Sequence, residues 1–320
     1  MPNNKIKGLE VVCLTKVEAA NLNSNGTEGV ISVLKKVRDP VDMKEYVRIS
    51  GQSVKYQLRQ ILRDMGKTLS PVISRQESGE KVIVSQGDPY QYIDDDLFGY
   101  MIAKKGKTLR RTAPVRTNGM ISIFPYQEDR DFGVRYDPSE SDEAKHNIYE
   151  TEIATNIMRS NFFIEVDRVG VFESVEVENK GMLGPKDRIA RISDLLSAIQ
   201  TYHGGAHLSR CFTKAYPEIM VLVFLNKKIP VVGDNLRVKA EYSKSGKYIL
   251  DVPLLAEVLN TFSDYIEKVY IALLKEKFEN LSEIEKMRTE QNKLNGKIEV
   301  ISLSELGAKI DTVLTEKNIE

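Results

Sequence analysis

The sequence predicts an α+β protein built on a split βαβ, or ferredoxin-like, sheet that is elaborated by insertions. Two observations carry this prediction. Regular elements follow one another in the order strand, helix, strands, helix, strands. One run, EIMVLVFL at 218–225, is almost wholly apolar, which is typical of a central strand covered on both faces. With 320 residues, 41% of them hydrophobic, the chain can bury a sizeable core.

The first half of the chain begins with a strand at 8–19, GLEVVCLTKVEA, and a loop at 21–29. Ser50 is a suitable N-cap for an amphipathic helix, which Gly66 ends. The apolar stripe of this helix consists of Val54, Leu58, Ile61, Leu62 and Met65. A short strand at 81–85 precedes an irregular region that contains the acidic run 94–96.

The second half starts with a polar stretch at 125–145, which predicts an exposed excursion. A strand is predicted at 162–177, then a helix at 188–202 capped by Asp187, and then the central strand. The C-terminal elements are a hairpin of 236–242 with 247–252, a long helix from Asp251 and Pro253 to about Lys293, a strand at 297–302, and a capping box from Ser302 to Glu305.

Composition excludes several classes of protein. Lys and Arg number 46, and Asp and Glu also number 46, so a general polyanion binder is excluded and any nucleic-acid contact needs local clusters. The two cysteines, Cys13 and Cys211, give neither a disulfide framework nor a metal-binding spacing, which fits a reducing cytoplasm. No run approaches the ~20 apolar residues of a membrane span, and MPNNKIKG lacks a signal-peptide core. We expect a cytoplasmic protein without a membrane partner.

Catalytic and metal motifs are weak. His203 and His207 are spaced as zinc ligands on a helix, but two glycines between them break that helix. The three adjacent carboxylates at 94–96 cannot all face one Mg²⁺ ion. A solvated or salt-bridged run is the favoured interpretation of them. The segment GMLGPKDR at 181–188 lacks the spacing of a phosphate loop, and no Ser/His/Asp grouping is evident. We therefore expect no metal, no cofactor and no catalytic residue.

Cationic residues instead cluster in three places. Lys55, Arg59 and Arg63 recur at spacing four on one helix, KKGKTLRRTAPVRTNGM at 104–120 has six cations and no carboxylate, and YHGGAHLSR at 202–210 joins glycines to an arginine. Together they favour a track for the sugar-phosphate chain of single-stranded nucleic acid. The alternatives are a solvated helix face and a basic loop paired with the acidic run at 94–96.

Several segments, in their order, resemble the crRNA-binding backbone subunit of type I CRISPR Cascade complexes, in its DevR-like subtype I-B branch. The resemblance covers most of residues 8–250. The segments are the first strand with NLNSNG, then RISGQSVKYQLRQIL, DDDLFGYM, RRTAPVRTN, the passage from HNIYETEI to FFIEVDRVG, and RISDLLSAIQTYHGGAHLSR.

The resemblance implies a right-hand shape. Residues 1–50 and 160–252 would form an RRM-like palm, 51–120 a helical finger region with the basic patch, 121–159 a protruding thumb, and 253–320 helices packed on the palm. It also implies that copies stack in a helical filament on one guide RNA, together with other Cascade subunits. The guide would then pair with target DNA, and each thumb would displace one base.

Carried over residue by residue, the resemblance implies three RNA-facing surfaces and a wedge. The first surface is Asn21, Ser50, Gly51, Gln52, Lys55 and Arg59; the second is Arg110, Arg111 and Arg116; the third is Gly204, Gly205, His207 and Arg210. Ile123 or Phe124 would be the wedge. The expected function is sequence-independent guide binding without catalysis. Two alternatives remain: a metal-dependent RNA nuclease, for which Glu28 is the only carboxylate in the first loop, and a DNA-binding transcriptional autoregulator, for which no helix-turn-helix is visible.

Overall fold

The computed structural model describes residues 5–77, 80–104, 107–135, 147–240, 245–290 and 293–316. The strands are β1 (Gly8–Ala20), β2 (Ser24–Glu28), β3 (Ile31–Leu34), β4 (Lys36–Arg38), β5 (Glu45–Ser50), β6 (Val72–Glu77), β7 (Glu80–Ser85), β8 (Tyr100–Lys104), β9 (Lys107–Arg111), β10 (Val115–Ser122), β11 (Asp129–Arg135), β12 (Asn147–Glu165), β13 (Val171–Phe172), β14 (Gly181–Met182), β15 (Ile219–Leu225), β16 (Ile266–Leu273) and β17 (Ile298–Ser302). The α-helices are α1 (Gly51–Asp64), α2 (Ile93–Phe98), α3 (Pro185–Gln200), α4 (Val252–Thr261), α5 (Leu281–Glu290) and α6 (Leu306–Glu316).

One large sheet runs through the molecule in the order β17-β16-β15-β1-β12-β10-β5-β4. Its neighbouring strands are antiparallel except β16 and β17, which are parallel. In chain order β1, α1, β10, β12, α3 and β15 alternate as strand, helix, two strands, helix and strand. The α+β class predicted from the sequence is confirmed.

Alternate residues along the strands enter two apolar cores. On β1, Leu9 and Val11 join α1, α3 and α6 on one face, while Val12 and Leu14 join α4 and α5 on the other. Every residue of β15 is buried, which confirms the predicted central strand. Truncating a fully buried side chain such as Phe224 to Ala is expected to cost about 3–5 kcal/mol of folding free energy.

The far end of β12 extends beyond the large sheet and forms a second surface. Strand β11 pairs with it in antiparallel register from Asp129 opposite Ile153 onward, and β3 pairs with it in parallel. The polar excursion predicted at 125–145 therefore contains a β-strand. Residues 136–146, part of the predicted thumb, lie outside the described residues.

Three of the predicted helix N-terminal caps are confirmed. The Ser50 hydroxyl caps α1 by accepting from the Ser53 N–H at 3.3 Å, and the Asp251 carboxylate caps α4 by accepting from the Leu254 N–H at 3.4 Å. The capping box from Ser302 to Glu305 is also present. These signals were readable because each needs only residues that are close in sequence.

The long helix predicted from Leu254 to Lys293 is wrong. Helix α4 ends at Thr261, a short 3₁₀ turn follows at 263–265, and the chain then enters β16 before α5. The segment IEKVYIAL is rich in β-branched and aromatic residues and lies in the sheet between β15 and β17. Its tertiary pairing outweighs the helix-like spacing of the apolar residues.

Five smaller predictions also need correction. The strand predicted at 162–177 belongs to β12, which begins at 147 and ends at 165, and the loop predicted at 21–29 contains β2. The region of the acidic run is helix α2, whose carboxylates accept hydrogen bonds from backbone N–H groups and from arginines. Gly184, not Asp187, is the N-cap of α3, since Pro185 suits the first helical turn. In the described part of the predicted 236–252 hairpin, Val238 and Leu250 form an isolated bridge and no strand; residues 241–244 lie outside the description.

Among the helices of the described ranges, none has both the length and the apolar character needed to cross a membrane.

Candidate nucleic-acid interface

The N-terminus of α1 is fixed against two other segments. The Ser50 N–H donates to Oδ1 of Asn23 at 2.9 Å, which ties the helix start to the segment after β1. A Cβ on Gly51 would lie 2.6 Å from the carbonyl oxygen of Thr117, so glycine lets the helix approach β10 closely. Gln52 is exposed on the first turn. The start of a helix attracts anions, because its first N–H groups lack intrahelical partners.

The cationic flank of α1 packs on an aromatic ring. The Phe98 ring centroid lies 6.0 Å from Nζ of Lys55 and 4.8 Å from Cζ of Arg59. Nε of Arg59 also donates to Oδ2 of Asp94 at 3.2 Å. Burial, and secondarily the charge of Arg59, lowers the pKa of Lys55. The flank is thus partly engaged within the protein rather than being a freely solvated row.

The glycine pair of the third surface docks on the first surface. Gly204 and Gly205 have φ values of 129° and 149°, a region that residues with a Cβ rarely adopt. A Cβ on Gly204 would lie 2.2 Å from Cδ of Gln57 on α1, so Gly204 is a packing residue and only Gly205 is exposed. The next N–H, that of Ala206, donates to the Asn21 carbonyl at 2.9 Å. Helix α1 and the glycine loop therefore form one continuous surface.

His207 and Arg210 connect this surface to the extended end of β12. One Arg210 amino group lies 3.2 Å from Nδ1 of His207, and the guanidinium carbon lies 4.2 Å from the Tyr149 ring centroid. Because arginine only donates, Nδ1 must accept, which places the imidazole proton on Nε2, 3.3 Å from Oγ of Ser32. The arginine is exposed and pre-oriented by an aromatic face.

Asn21 does not face solvent. It is fully buried, and its Nδ2 donates to the Glu152 carbonyl at 2.9 Å. The prediction that its side chain contacts RNA is wrong, because Asn21, which follows β1, is enclosed by β12 and the glycine loop. It positions that loop through its backbone carbonyl instead.

Arg111 is the clearest correction. Its side chain has no exposed area and forms ion pairs with Asp96 at 2.5 Å and Glu176 at 2.6 Å. Its other donors reach the carbonyl oxygens of Asp96, Val171 and Arg168, so all five N–H groups of the guanidinium are used. The alternative, a basic segment paired with the acidic run, is therefore correct for Arg111, and the RNA-facing prediction is wrong.

The other two arginines of the second surface do not join the first. Arg116 is opposite Phe163, which belongs to the core of α4 and α5, so it lies on the sheet face opposite α1. Its side chain is 64% exposed and pairs with Glu165. Arg110 is exposed on β9, whose backbone pairs with Val175. The predicted second surface is thus dispersed over three locations.

The predicted wedge residues lie at the start of the excursion, after β10. Ile123 and Phe124 are half-buried and pack against the core of α4 and α5. The Ile123 N–H donates to the Ile157 carbonyl at 2.9 Å, and the Ser122 hydroxyl donates to the Phe124 carbonyl at 2.9 Å. These residues hold the start of the excursion against the core of α4 and α5, and the role of either one as a wedge stays a prediction.

The acidic run 94–96 is buried and salt-bridged. Oδ2 of Asp96 accepts from Arg191 at 2.7 Å, and the Gly170 N–H donates to the same carboxylate. Burial raises the pKa of Asp95, against hydrogen bonds from Ser70 and Ser85. Within the described ranges, no group of three or more His, Cys, Asp or Glu residues is arranged to hold a metal ion.

Sequence reasoning missed several residues that shape the interface. They are Asn23, Ser32, Gln57 and Tyr149. Each contacts a predicted residue from a distant part of the chain, so no local motif signals it.

Comparison with models of protein families shows the family to which this chain belongs. The family model described as "CRISPR-associated negative auto-regulator DevR/Csa2" matches residues 11–247. The chain belongs to the DevR/Csa2 family. The resemblance to the DevR family stated from the sequence is therefore confirmed. The family match includes every residue of the interface from Asn21 to Arg210, whereas α4, β16, α5, β17 and α6 follow it.

Solved structures with the same fold are similar to this DevR/Csa2 protein over nearly its whole length. A chain of a "CRISPR RNA-guided surveillance complex" has a TM-score of 0.61 and 13% identity, with 97% of this chain and 100% of that chain covered. A chain of a "CRISPR RNA-guided surveillance complex, pre-nicking" has a TM-score of 0.64 at the same identity and coverage. No functionally curated protein matches the chain.

Proposed function

We propose that this DevR/Csa2 protein binds CRISPR guide RNA through its phosphates, as the multi-copy backbone subunit of a type I-B Cascade effector. The observation that supports this most is the joining of the α1 N-terminus to the glycine loop, through Gly204 against Gln57 and through Ala206 to Asn21. This surface offers helix N–H groups, an exposed glycine and an oriented arginine, which are the groups that hold phosphate oxygens.

The order β15-β1-β12-β10, with α1 and α3 packed on one face, supports an RRM-like palm. The hairpin of β11 with the far end of β12 corresponds to the thumb, and the segments between α1 and β10 correspond to the fingers. Since phosphates carry no base identity, guides of any sequence can be held. The base edges stay free to pair with target DNA, so sequence recognition belongs to the guide.

We assign no catalytic step to the chain. Copies along one guide, other Cascade subunits, and target DNA reached through the guide are the proposed partners in antiviral defence, in the cytoplasm. The function requires the cationic groups at the joined surface to neutralise RNA phosphates, which releases the counterions condensed on the RNA.

The deciding experiment is purification of the protein with its bound nucleic acid, followed by sequencing. Uniform guide-length RNA supports the proposal, and random cellular RNA or none contradicts it. Arg210→Ala should weaken RNA binding at least tenfold, because it removes a charge-assisted contact, while Arg237→Ala on the opposite sheet face serves as the matched control. Incubating the complex with complementary RNA and Mg²⁺ tests the nuclease alternative, since cleavage would assign an enzyme.

The family description names a negative auto-regulator, which favours DNA-binding autoregulation as the second candidate. It is tested by footprinting on duplex DNA of the promoter with the isolated protein. Sequence-specific protection, tighter than binding to guide RNA, would establish this role instead of the first.

A further inference from the structure

The segment after the glycine pair has an unusual charge pattern. Residues 201–217 contain no Asp or Glu, while they include His203, His207, Arg210 and Lys214. Lys214 pairs with Glu218 and so is partly neutralised. Arg210 contacts His207, Thr151 and the Tyr149 ring, and no carboxylate of the described residues forms an ion pair with it. A surface of this kind is complementary to a polyanion rather than to an acidic or mixed protein face.

Phe212 is the most exposed large hydrophobic side chain of this segment, ahead of Leu208 at 43% and Tyr216 at 42%. Phe212 is 81% exposed, whereas its neighbours Cys211 and Thr213 are buried at 5% and 6%. The Thr213 hydroxyl accepts from the Glu18 N–H at 3.1 Å, and the Cys211 N–H donates to the His207 carbonyl at 2.8 Å. Thr213 is thus tied to β1, while Cys211 is buried and closes a turn on His207. Phe212 lies between these two buried residues with its own side chain exposed.

The position of Phe212 relative to Arg210 suits one nucleotide. The two residues are separated by one residue, so their Cα atoms are at most about 7 Å apart. A phosphate on the guanidinium can therefore have its own or the adjacent base beside the phenyl ring. Aromatic side chains next to cations form the stacking platforms of single-strand binders, and stacking tolerates any base because every base has a π-face.

We propose that Phe212 is a stacking platform for a guide-RNA base, next to the phosphate contact of Arg210. This assignment rests on the proposed function and adds a base contact that needs no particular sequence. A protein partner is the competing occupant; the absence of Asp and Glu from residues 201–217 and the exposed Arg210 two residues away favour RNA.

The test uses the full chain and single-stranded RNAs that carry 2-aminopurine at successive positions. Stacking on Phe212 should alter the fluorescence of one recurring position in the wild type, and Phe212→Ala should abolish that change. The same substitution should weaken binding roughly tenfold, whereas Phe212→Trp should retain it. Met182→Ala, which removes another exposed apolar side chain at 65% exposure, should leave both readouts unchanged.

The outcomes separate this assignment from the proposed function. If the wild type binds RNA and Phe212→Ala matches it in affinity and fluorescence, the stacking assignment is overturned while guide binding stands. If Phe212→Ala changes only the assembly size, the residue contacts protein and the assignment is likewise overturned. If the wild type binds no RNA, both the proposed function and the stacking assignment are rejected. Circular dichroism of each variant confirms that it is folded.

Discussion

Arg111 and Arg210 show how the same residue type acquires opposite roles. Both occur in cationic segments of the sequence, yet Arg111 is enclosed by carboxylates and carbonyl groups while Arg210 lies on an exposed ring. The partners of Arg111 lie 15 and 65 residues away along the chain. Only the fold brings them together, which is why the sequence could identify a basic patch but not which of its arginines faces solvent.

Replacing Arg111 with Ala should destabilise the protein by about 3 kcal/mol or more, because Asp96 and Glu176 would keep buried charge with fewer partners. Urea denaturation measures this as a lower midpoint. Arg110→Ala on the exposed face of the same strand should stay within about 0.5 kcal/mol of the wild type. Equal midpoints for the two variants would show that the buried network is not a stabilising element.

Gly51→Ala should destabilise the start of α1, because the added Cβ would approach the Thr117 carbonyl to 2.6 Å. A loss of about 1–3 kcal/mol is expected from this overpacking. Gly307→Ala in α6 is the matched control, since a Cβ there would meet nothing within 4 Å and the backbone is helical. It should stabilise by roughly 0.5–1 kcal/mol. Thermal melts of the two variants test this comparison. If both substitutions shifted the melting temperature in the same direction, the packing argument would be contradicted.

At the scale of elements, local signals succeeded where one segment determines its own structure. Helix α1 was predicted from Ser50 and its apolar stripe, and β15 from its continuous hydrophobic run. The segment that becomes β16 was misread as helix because its apolar spacing fits both periods. Its identity depends on pairing with β15 and β17, which are distant in the chain. Ile219 of β15 lies opposite Leu273, 54 residues away, and Ile298 of β17 lies opposite Val269, 29 residues away. The same holds for the interface: the sequence predicted α1, but it did not predict the contacts of this helix and its cap with Asn23 and Gly204.

The C-terminal elements should show a specific acid sensitivity. Glu299 on β17 is partly desolvated, which raises its pKa, but hydrogen bonds from Lys268 at 2.5 Å and Lys309 at 2.8 Å outweigh this and leave the pKa lowered. A carboxyl whose pKa is lower folded than unfolded stabilises fully above its unfolded value of about 4.3 and loses that effect as pH falls.

The difference in melting temperature between wild type and Glu299→Gln should therefore be largest near neutral pH and shrink below about pH 4. Glu276→Gln removes a carboxylate that is 94% exposed and should have little effect at any pH, because its pair with Lys247 is solvent-screened. If the difference in melting temperature between wild type and Glu299→Gln did not change with pH, the side chain would act through packing alone.

At the scale of the whole molecule, a balanced net charge must coexist with polyanion binding, so the affinity has to come from the one joined surface. If each copy neutralises about three phosphates, log affinity should fall with log salt at a slope of roughly 2 per copy. A guide and a scrambled RNA of equal length should bind equally, because phosphates specify no sequence. Longer RNA should bind more copies, in mass steps of one chain measurable by mass photometry. A strong preference for the guide over its scrambled form, or a salt slope near zero, would place recognition in base edges or apolar contacts and remove the basis for a sequence-independent filament.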